Sequence, residues 1–567
     1  MRVRWGRIVL VMLVVLLACG GIALLGSNLP ADLYPGGTSE RDPSESPWAS
    51  EEVESDDAGA SRADDLGQSP TPRSAADDRP RDRDDLPPFR VLTLQYAPYM
   101  ATLAHMDAGG YLEARGYDLQ LFDVYSDDVA LDEDGQCQAL QDGAYDALAT
   151  TLDATRKCDA GVAVGIPLGQ SAGNDAIVVK PGVETWTEIF DHAIAFTGYS
   201  VSEYMACFAS HTAAAPLSFP VRYDDAGAAV DAWIDSGVEQ DISAVVAWEP
   251  EISRALAAVP DSRVILSSRD VRILWDVLEF STARTAAEPD AFRAFTAAYY
   301  EALADLARDP DGAYARLAEW AAADPAREDL MAAASAEELR DQLGLEAFAT
   351  LRDAALLVDD GRTLANRLEE AGFYWNYCGQ AVPPAPDLRV LLAPEFVLAA
   401  KTDPDLQHAL DSRPGQLVFQ VTDFTNKDAV SDAEIAQAQK LFETGVDIEF
   451  EPNRTDFRDP EGAQATLENA VRFLRTCQDC FLEVQGSAAF PGGAFRRSFT
   501  EADADALAVD RGRRVYDELL LRFDVPEAQL VFIEVPRARR HPGSVIEEEL
   551  RLDRRTYLTG YKLAGGM

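Results

Sequence analysis

Two segments about a hundred residues apart carry the residue types from which a small-molecule site can be built. One runs Leu140-Gln-Asp-Gly143-Ala-Tyr-Asp146-Ala-Leu-Ala-Thr150-Thr151, the other Asp241-Ile-Ser-Ala-Val-Val-Ala-Trp248-Glu249-Pro250. Each reads as a short helix or turn, then a buried strand, then a polar or aromatic tip. In open α/β sheets ligands sit outside the carboxyl ends of the strands. Two such tips in two halves of one region predict a cleft that closes on a small molecule. The chemistry this favours is recognition rather than bond-making. The five histidines, His105, His192, His211, His408 and His541, fall in no metal-ligand spacing. There is no Gly-x-Ser-x-Gly elbow and no P-loop. Carboxylates are too frequent for spacing to nominate an acid/base pair. No catalytic residue, metal or cofactor is therefore expected.

The tips need a scaffold, and the alternation of strands with helical patterns from Phe89 onward supplies a parallel α/β one. Val91–Leu94, Gly116–Phe122, Ala147–Ala149, Asp175–Val179, Ile194–Phe196 and Ala244–Ala247 read as strands. Residues 288–368 are Ala-rich and helical by propensity. Pro383, Pro384 and Pro386 mark a linker. Farther on, Val446–Phe450, Phe481–Val484 and Leu530–Ile533 read as strands alternating with helices over Ala463–Thr476 and Asp503–Arg522.

The Gly143–Asp146 step and the Trp248-Glu249-Pro250 tip are joined by a polar turn, Gly169-Gln-Ser171-Ala-Gly173-Asn174-Asp175, and by a helix opening, Gly198-Tyr-Ser200-Val-Ser202-Glu203-Tyr204. Together they resemble the nitrate/sulfonate/taurine-type periplasmic solute-binding proteins of ABC transporters, over roughly Phe89 to Gly379. The resemblance implies ligand contacts at Tyr96, Tyr99, Thr150, Thr151, Ser200, Ser202, Tyr204, Trp248 and Glu249. It also implies capture by hinge closure and delivery to an ABC permease. The residue types fit. Backbone N–H groups at a helix start favour an anionic group, though Ser200 and Ser202 also suit helix capping. Tyr96 and Tyr99 offer flat faces for a ring or a cation. Asp153, Asp175, Glu203 and Glu249 lie near the tips, with Arg156 and Arg222 as the nearest basic residues. An acid-lined aromatic cleft suits an amine or a pyrimidine-like ring better than a bare oxyanion.

The β-α-β-α-β order of the C-terminal part, with Leu507-Ala508-Val509-Asp510-Arg511-Gly512, resembles the OmpA-like peptidoglycan-binding domain. That resemblance implies a ligand role for Arg511 and a polar role for Asn453. Gly486-Ser487-Ala488-Ala489 lacks the Asp that would meet peptidoglycan's ammonium group.

Before both domains, Arg2, Arg4 and Arg7 precede an apolar run from Ile8 to Leu25, at the lower end of what spans a bilayer. An uncleaved membrane anchor with a cytoplasmic N-terminus, a lipoprotein acylated at Cys19 and a cleaved signal all stand as readings, and all three export the remainder. Residues 30–88 are poor in apolar side chains and rich in acidic ones, the composition of a disordered tether. The six cysteines beyond the anchor favour disulfides in an exported chain. Cys137 can pair with Cys158, and Cys477 with Cys480. The net charge of −47, from 50 basic and 97 acidic residues, excludes a nucleic-acid partner. Only six of the basic residues are Lys, which fits salt adaptation or a compositional bias of the genome.

The expected protein is thus α/β: an anchor or signal (1–29), a disordered linker (30–88), a two-lobed type II periplasmic-binding-protein domain (89–379), a linker (380–416) and an α+β OmpA-like domain (417–567). Its expected place is the cell envelope, anchored in the inner membrane with the bulk periplasmic or extracellular. Expected partners are a small solute, an ABC permease, the membrane and peptidoglycan. The rival reading is a non-transporting tether or sensor with a degenerate cleft.

Overall fold

The protein is described by a computed structural model over residues 83–563, apart from 95, 125, 127–128, 130, 159–160, 237–241, 326, 328–334, 385–387, 416, 418, 420–429, 445–447, 478 and 492–498. The expected anchor, Cys19 and residues 30–82 of the expected linker lie outside the described residues. No helix among the described residues is long and apolar enough to cross a membrane.

The first lobe opens with β1 (Pro88–Thr93), β2 (Asp118–Asp123), β3 (Ala147–Thr151) and β4 (Val162–Ser171). The chain crosses to a second lobe for β5 (Asp175–Val179), β6 (Ala193–Thr197), β7 (Pro220–Tyr223), β8 (Ile242–Trp248) and β9 (Arg263–Ser267). It crosses back for β10 (Trp275–Ser281), and the short β11 (Glu346–Phe348) later joins the edge beside β4. These strands form because both sheet faces are covered, which selects short apolar runs. Every residue of β4, β5 and β10 is buried.

The two sheets share one topology. Their orders are β11-β4-β10-β3-β1-β2 and β7-β6-β8-β5-β9. Each holds a parallel triplet, β2-β1-β3 or β7-β6-β8. Each is completed by an antiparallel strand that enters straight from the other lobe: β10 between β3 and β4, and β5 between β8 and β9. The two crossings run side by side. The Ser171 N–H donates to the Leu274 carbonyl at 3.2 Å and the Ser268 N–H to the Asp175 carbonyl at 2.8 Å. The Ser171 hydroxyl bonds that of Ser268 at 2.8 Å, and the Gly173 N–H donates to the Ser268 hydroxyl at 2.9 Å. This paired crossing is the geometry of a hinge.

A third tie joins the lobes. The helix Arg362–Tyr377 packs on both the turn Leu152–Thr155 and the second-lobe helix Val201–Thr212. Its Trp375 indole N–H donates to the Asp153 carbonyl at 3.1 Å. Just past its end, Cys378 is disulfide-bonded to Cys207. The expected pairs Cys137–Cys158 and Cys477–Cys480 are also bonded. Within the stretch expected as a linker, the helix Pro394–Thr402 buries Phe396, Val397 and Ala400 in the first lobe's core. An apolar face decides this: those side chains are less costly inside than out.

The C-terminal module is a sheet ordered β12-β15-β13-β14, where β12 is Gln439–Thr444, β13 Cys480–Gly486, β14 Leu530–Ile533 and β15 Thr556–Lys562. The strand expected at 446–450 is described only in part. Val446 and Asp447 lie outside the described residues, and Glu449 and Phe450 make only isolated bridges. The helix Glu501–Leu521 lies so close to β13 that a Cβ on Gly486 would fall 1.9 Å from the Ala508 carbonyl oxygen. The module shares one continuous apolar core with the second lobe. Trp186 of that lobe, fully buried, meets Phe442 and Phe473 at ring distances of 6.1 Å. The β9–β10 crossing is also gripped: the Arg272 N–H donates to the Thr476 carbonyl at 2.6 Å, and Asp270 pairs with Lys562.

Cys207 and Cys378 are 171 residues apart, so their bond removes much entropy from the unfolded chain. The double variant Cys207→Ala/Cys378→Ala is expected to lose about 4 kcal/mol of stability, read by denaturant unfolding without reductant.

Candidate functional site

The carboxyl ends of β1, β3, β6 and β8 point toward the junction of the lobes, and the sequence places the tip residues there. Tyr96 precedes the helix Ala97–Ala108, and Tyr99 lies in its first turn. Their rings meet edge to face at 4.7 Å. The Tyr99 hydroxyl donates to Asp276 Oδ1 at 2.8 Å. The Tyr96 hydroxyl is buried and faces the Ser171 side chain. Thr150 and Thr151 end β3, where Thr151 sits across from Asp276. Tyr204 is buried against the Trp375 ring at 5.6 Å.

Other expected contacts turn out to hold structure. The Ser200 hydroxyl donates to the Thr197 carbonyl and accepts from the Ser202 N–H, so it caps the helix Val201–Thr212. Glu203 accepts from the Tyr199 N–H at 2.7 Å and pairs with Arg222 at 2.6 Å. Two of the backbone donors at this turn, the N–H groups of Tyr199 and Ser202, are thus already bound. Glu249 accepts from the N–H and hydroxyl of Ser253, holding the start of the next helix. Trp248 packs against the second lobe's own Ala176–Val245–Ala247 cluster. The Ser202 hydroxyl is buried without a partner. Arg156, the other nearby cation, donates to the Pro383 carbonyl at 2.6 Å.

What remains at the junction is acidic. Asp153, Asp175, Asp276, Glu279 and Glu346 are between 0 and 6% exposed. Asp276 and Glu346 face one another, Glu279 faces the Thr155 side chain, and Asp153 faces those of Thr151 and Trp375. The Ser171 hydroxyl donates to Asp175 at 2.5 Å. Gly169 leaves space for Glu346, since a Cβ there would fall 2.1 Å from its Oε1. Lys157, which lies over the Trp375 ring at 4.0 Å, acts on Asp153, and Arg272 acts on Glu346. Burial disfavours charge, and neighbouring carboxylates add to it. Burial pushes Asp175, Asp276 and Glu279 up to about 7. Asp153 is raised by burial, and Glu346 is raised strongly by burial and by Asp276.

Asp276, Glu279 and Glu346 escaped the sequence reading. The available signal was two acids inside the apolar run Ile273–Phe280, which is costly in a strand covered on both faces.

In the C-terminal module, Arg511 is 1% exposed and lies under the loop carrying Asn453. Its guanidinium donates to the carbonyls of Glu451, Arg454 and Ser487 at 2.9, 3.0 and 3.2 Å. Asn453 is exposed, with a left-handed φ of 55°.

The raised acids fix the sign of a pH effect. Glu279 keeps its proton in the folded chain to about pH 7 but loses it near its ordinary value when unfolded. Its contribution is therefore present below about pH 4 and is lost as pH rises to about 7. Glu279→Gln should remove on the order of 3 kcal/mol of that dependence. The check is urea unfolding of both proteins at acidic and mildly alkaline pH, where the variant's stability should fall less.

No family model matches the chain, and no curated protein matches it. Among solved structures it is similar to the alkanesulfonate-binding protein SsuA from Xanthomonas axonopodis pv. citri bound to MOPS, at 14% identity and a TM-score of 0.39, over 54% of this chain and 96% of that one. It is similar to the periplasmic aliphatic sulphonate binding protein SsuA from Escherichia coli, at 16% identity and a TM-score of 0.40, over 55% and 99%. It is also similar to the periplasmic nitrate-binding protein NrtA from Synechocystis PCC 6803, at 12% identity and a TM-score of 0.41, over 59% and 93%.

Proposed function

We propose that this protein is an exported, envelope-anchored solute-binding protein that captures a small molecule between its lobes by hinge closure and hands it to an ABC permease. The observation that carries the reading is the pair of sheets with one topology, each completed by a strand from the other lobe, with the two crossings hydrogen-bonded side by side. Such a joint lets two rigid bodies open and close about a few residues, and ligand favours the closed state. Buried polar groups at the junction give a solute something to bind. The C-terminal module, OmpA-like by its sequence, docks on the cell wall or on a protein partner.

A second reading, a sensor that does not transport, draws support from one observation. The C-terminal module holds the β9–β10 crossing itself, through Asp270 and Arg272. Lobe closure would then be transmitted to whatever that module touches.

A solute that binds only the folded protein raises its thermal midpoint with concentration. A mixed panel of amines, pyrimidines, sulfonates, nitrate and phosphate is expected to yield a dose-dependent rise. Tyr96→Ala should abolish it. A rise accompanied by changed hydrogen exchange around Cys477 and Lys562 favours the sensor reading; no rise with any member counts against capture.

A further inference from the structure

We infer that Lys157 is a latch between the lobes: its ammonium, braced in the first lobe, holds the second through the Tyr199 carbonyl and the Trp375 ring, and must let go before the cleft opens. This rests on the capture reading above and adds a control on the same hinge.

The place of the contact is the first ground. Lys157 follows the first-lobe turn Leu152–Thr155. Its ammonium donates to the carbonyl of Tyr199, in the second-lobe turn between β6 and the helix Val201–Thr212. The same ammonium lies 4.0 Å from the centre of the Trp375 ring, whose face attracts a cation. Asp153, one helical turn earlier, acts on Lys157 and keeps its charge on this side. The neighbouring Arg156 does likewise, donating at 2.6 Å to the Pro383 carbonyl, in the segment that follows Cys378. Two consecutive cations of the first lobe thus clasp main-chain carbonyls beyond it.

The bracing of both halves is the second, independent ground. Cys158, next to Lys157, is bonded to Cys137 within the first lobe. Cys207, on the helix that Tyr199 precedes, is bonded to Cys378, one residue past the helix that carries Trp375. Each half of the contact is fastened covalently, and the contact between them is not. The Tyr199 carbonyl is also held in place by its own turn. Tyr199 has a left-handed φ of 57°, which costs a tyrosine free energy and persists only where the surroundings enforce it. Its N–H is fixed by Glu203, itself paired with Arg222.

A permanent strut would be built differently. A primary ammonium on a flexible four-carbon stem is strongly hydrated, and Lys157 is only half-buried. Water therefore takes over its bonds as the lobes part. The bonds between the two crossings, such as Ser171 to Ser268, lie at the hinge itself and stay made during the motion. The latch holds the unliganded lobes together, so its release sets how readily a solute enters.

The test is hydrogen exchange and small-angle scattering of the unliganded full-length chain beside Lys157→Met and Lys157→Arg. Lys157→Met keeps the apolar stem and loses the charge. Its amides at 152–157 and 199–204 should exchange about 10-fold faster, as expected for the loss of one such contact, and its radius of gyration should rise. Lys157→Arg keeps a cation over the ring and should match the parent in both. Amides of β4 and β5 should be unchanged throughout. Unchanged exchange in Lys157→Met overturns the latch, and so does faster exchange at an unchanged radius, which would make the contact local. Faster exchange that includes β4 and β5 assigns Lys157 to the fold and overturns it too. No solute is present, so each of these failures leaves the capture reading standing; that reading falls with the thermal panel above.

Discussion

Five buried carboxyl groups, four of them in the first lobe and Asp175 at the start of β5 beside the paired crossing, are the constraint on which the rest of this structure turns. Each group sits where a topological necessity put it. Asp175 opens the strand that enters the second lobe, and Asp276 lies at the start of the one that returns. Glu346 lies on the edge strand that seals the first sheet beside β4. The same few residues that carry the hinge therefore also carry its charge.

The surrounding structure reads as support for that joint. The helix Arg362–Tyr377 spans it, held to the first lobe by the Trp375 indole and to the second by the Cys207–Cys378 bond. The C-terminal module extends the second lobe's core and grips the returning crossing. Lobe, crossing and module are thereby packed as one body, whereas the first lobe meets them across the acidic junction. Arg511 illustrates how far the module has turned its chemistry inward. A guanidinium that could face solvent and a carboxylate instead organises the loop Glu451–Arg454 through backbone carbonyls.

Much of the scaffold was legible from residue order. Short apolar runs ending in polar tips gave β1, β3, β5, β6 and β8 their places, because buried parallel strands leave that pattern. Tyr96 and Tyr99 stand where that order puts a tip, shortly after β1 and at the start of the helix Ala97–Ala108. Less visible were features set by tertiary contacts. β10 carries two acids, so its apolar pattern is broken, and only the folded sheet shows that both are buried. β15 lies at the far end of the chain, yet it runs between β12 and β13. Ser200 and Glu249 have the types of ligand contacts, but local helix starts use them first, since a nearby N–H is always at hand. Pro383 to Pro386 suggested a linker, yet the residues beyond them pack into the first lobe through Phe396.

The central claim is that the junction carboxyls hold protons near neutral pH. Difference infrared spectroscopy of the unliganded chain tests this directly, because a protonated carboxyl and a carboxylate absorb differently. Carboxylic-acid carbonyl bands should persist at mildly acidic pH, fade as pH rises through about 7, and weaken in Asp276→Asn and Glu279→Gln. A spectrum with every carboxyl already ionised at pH 6 would contradict the account.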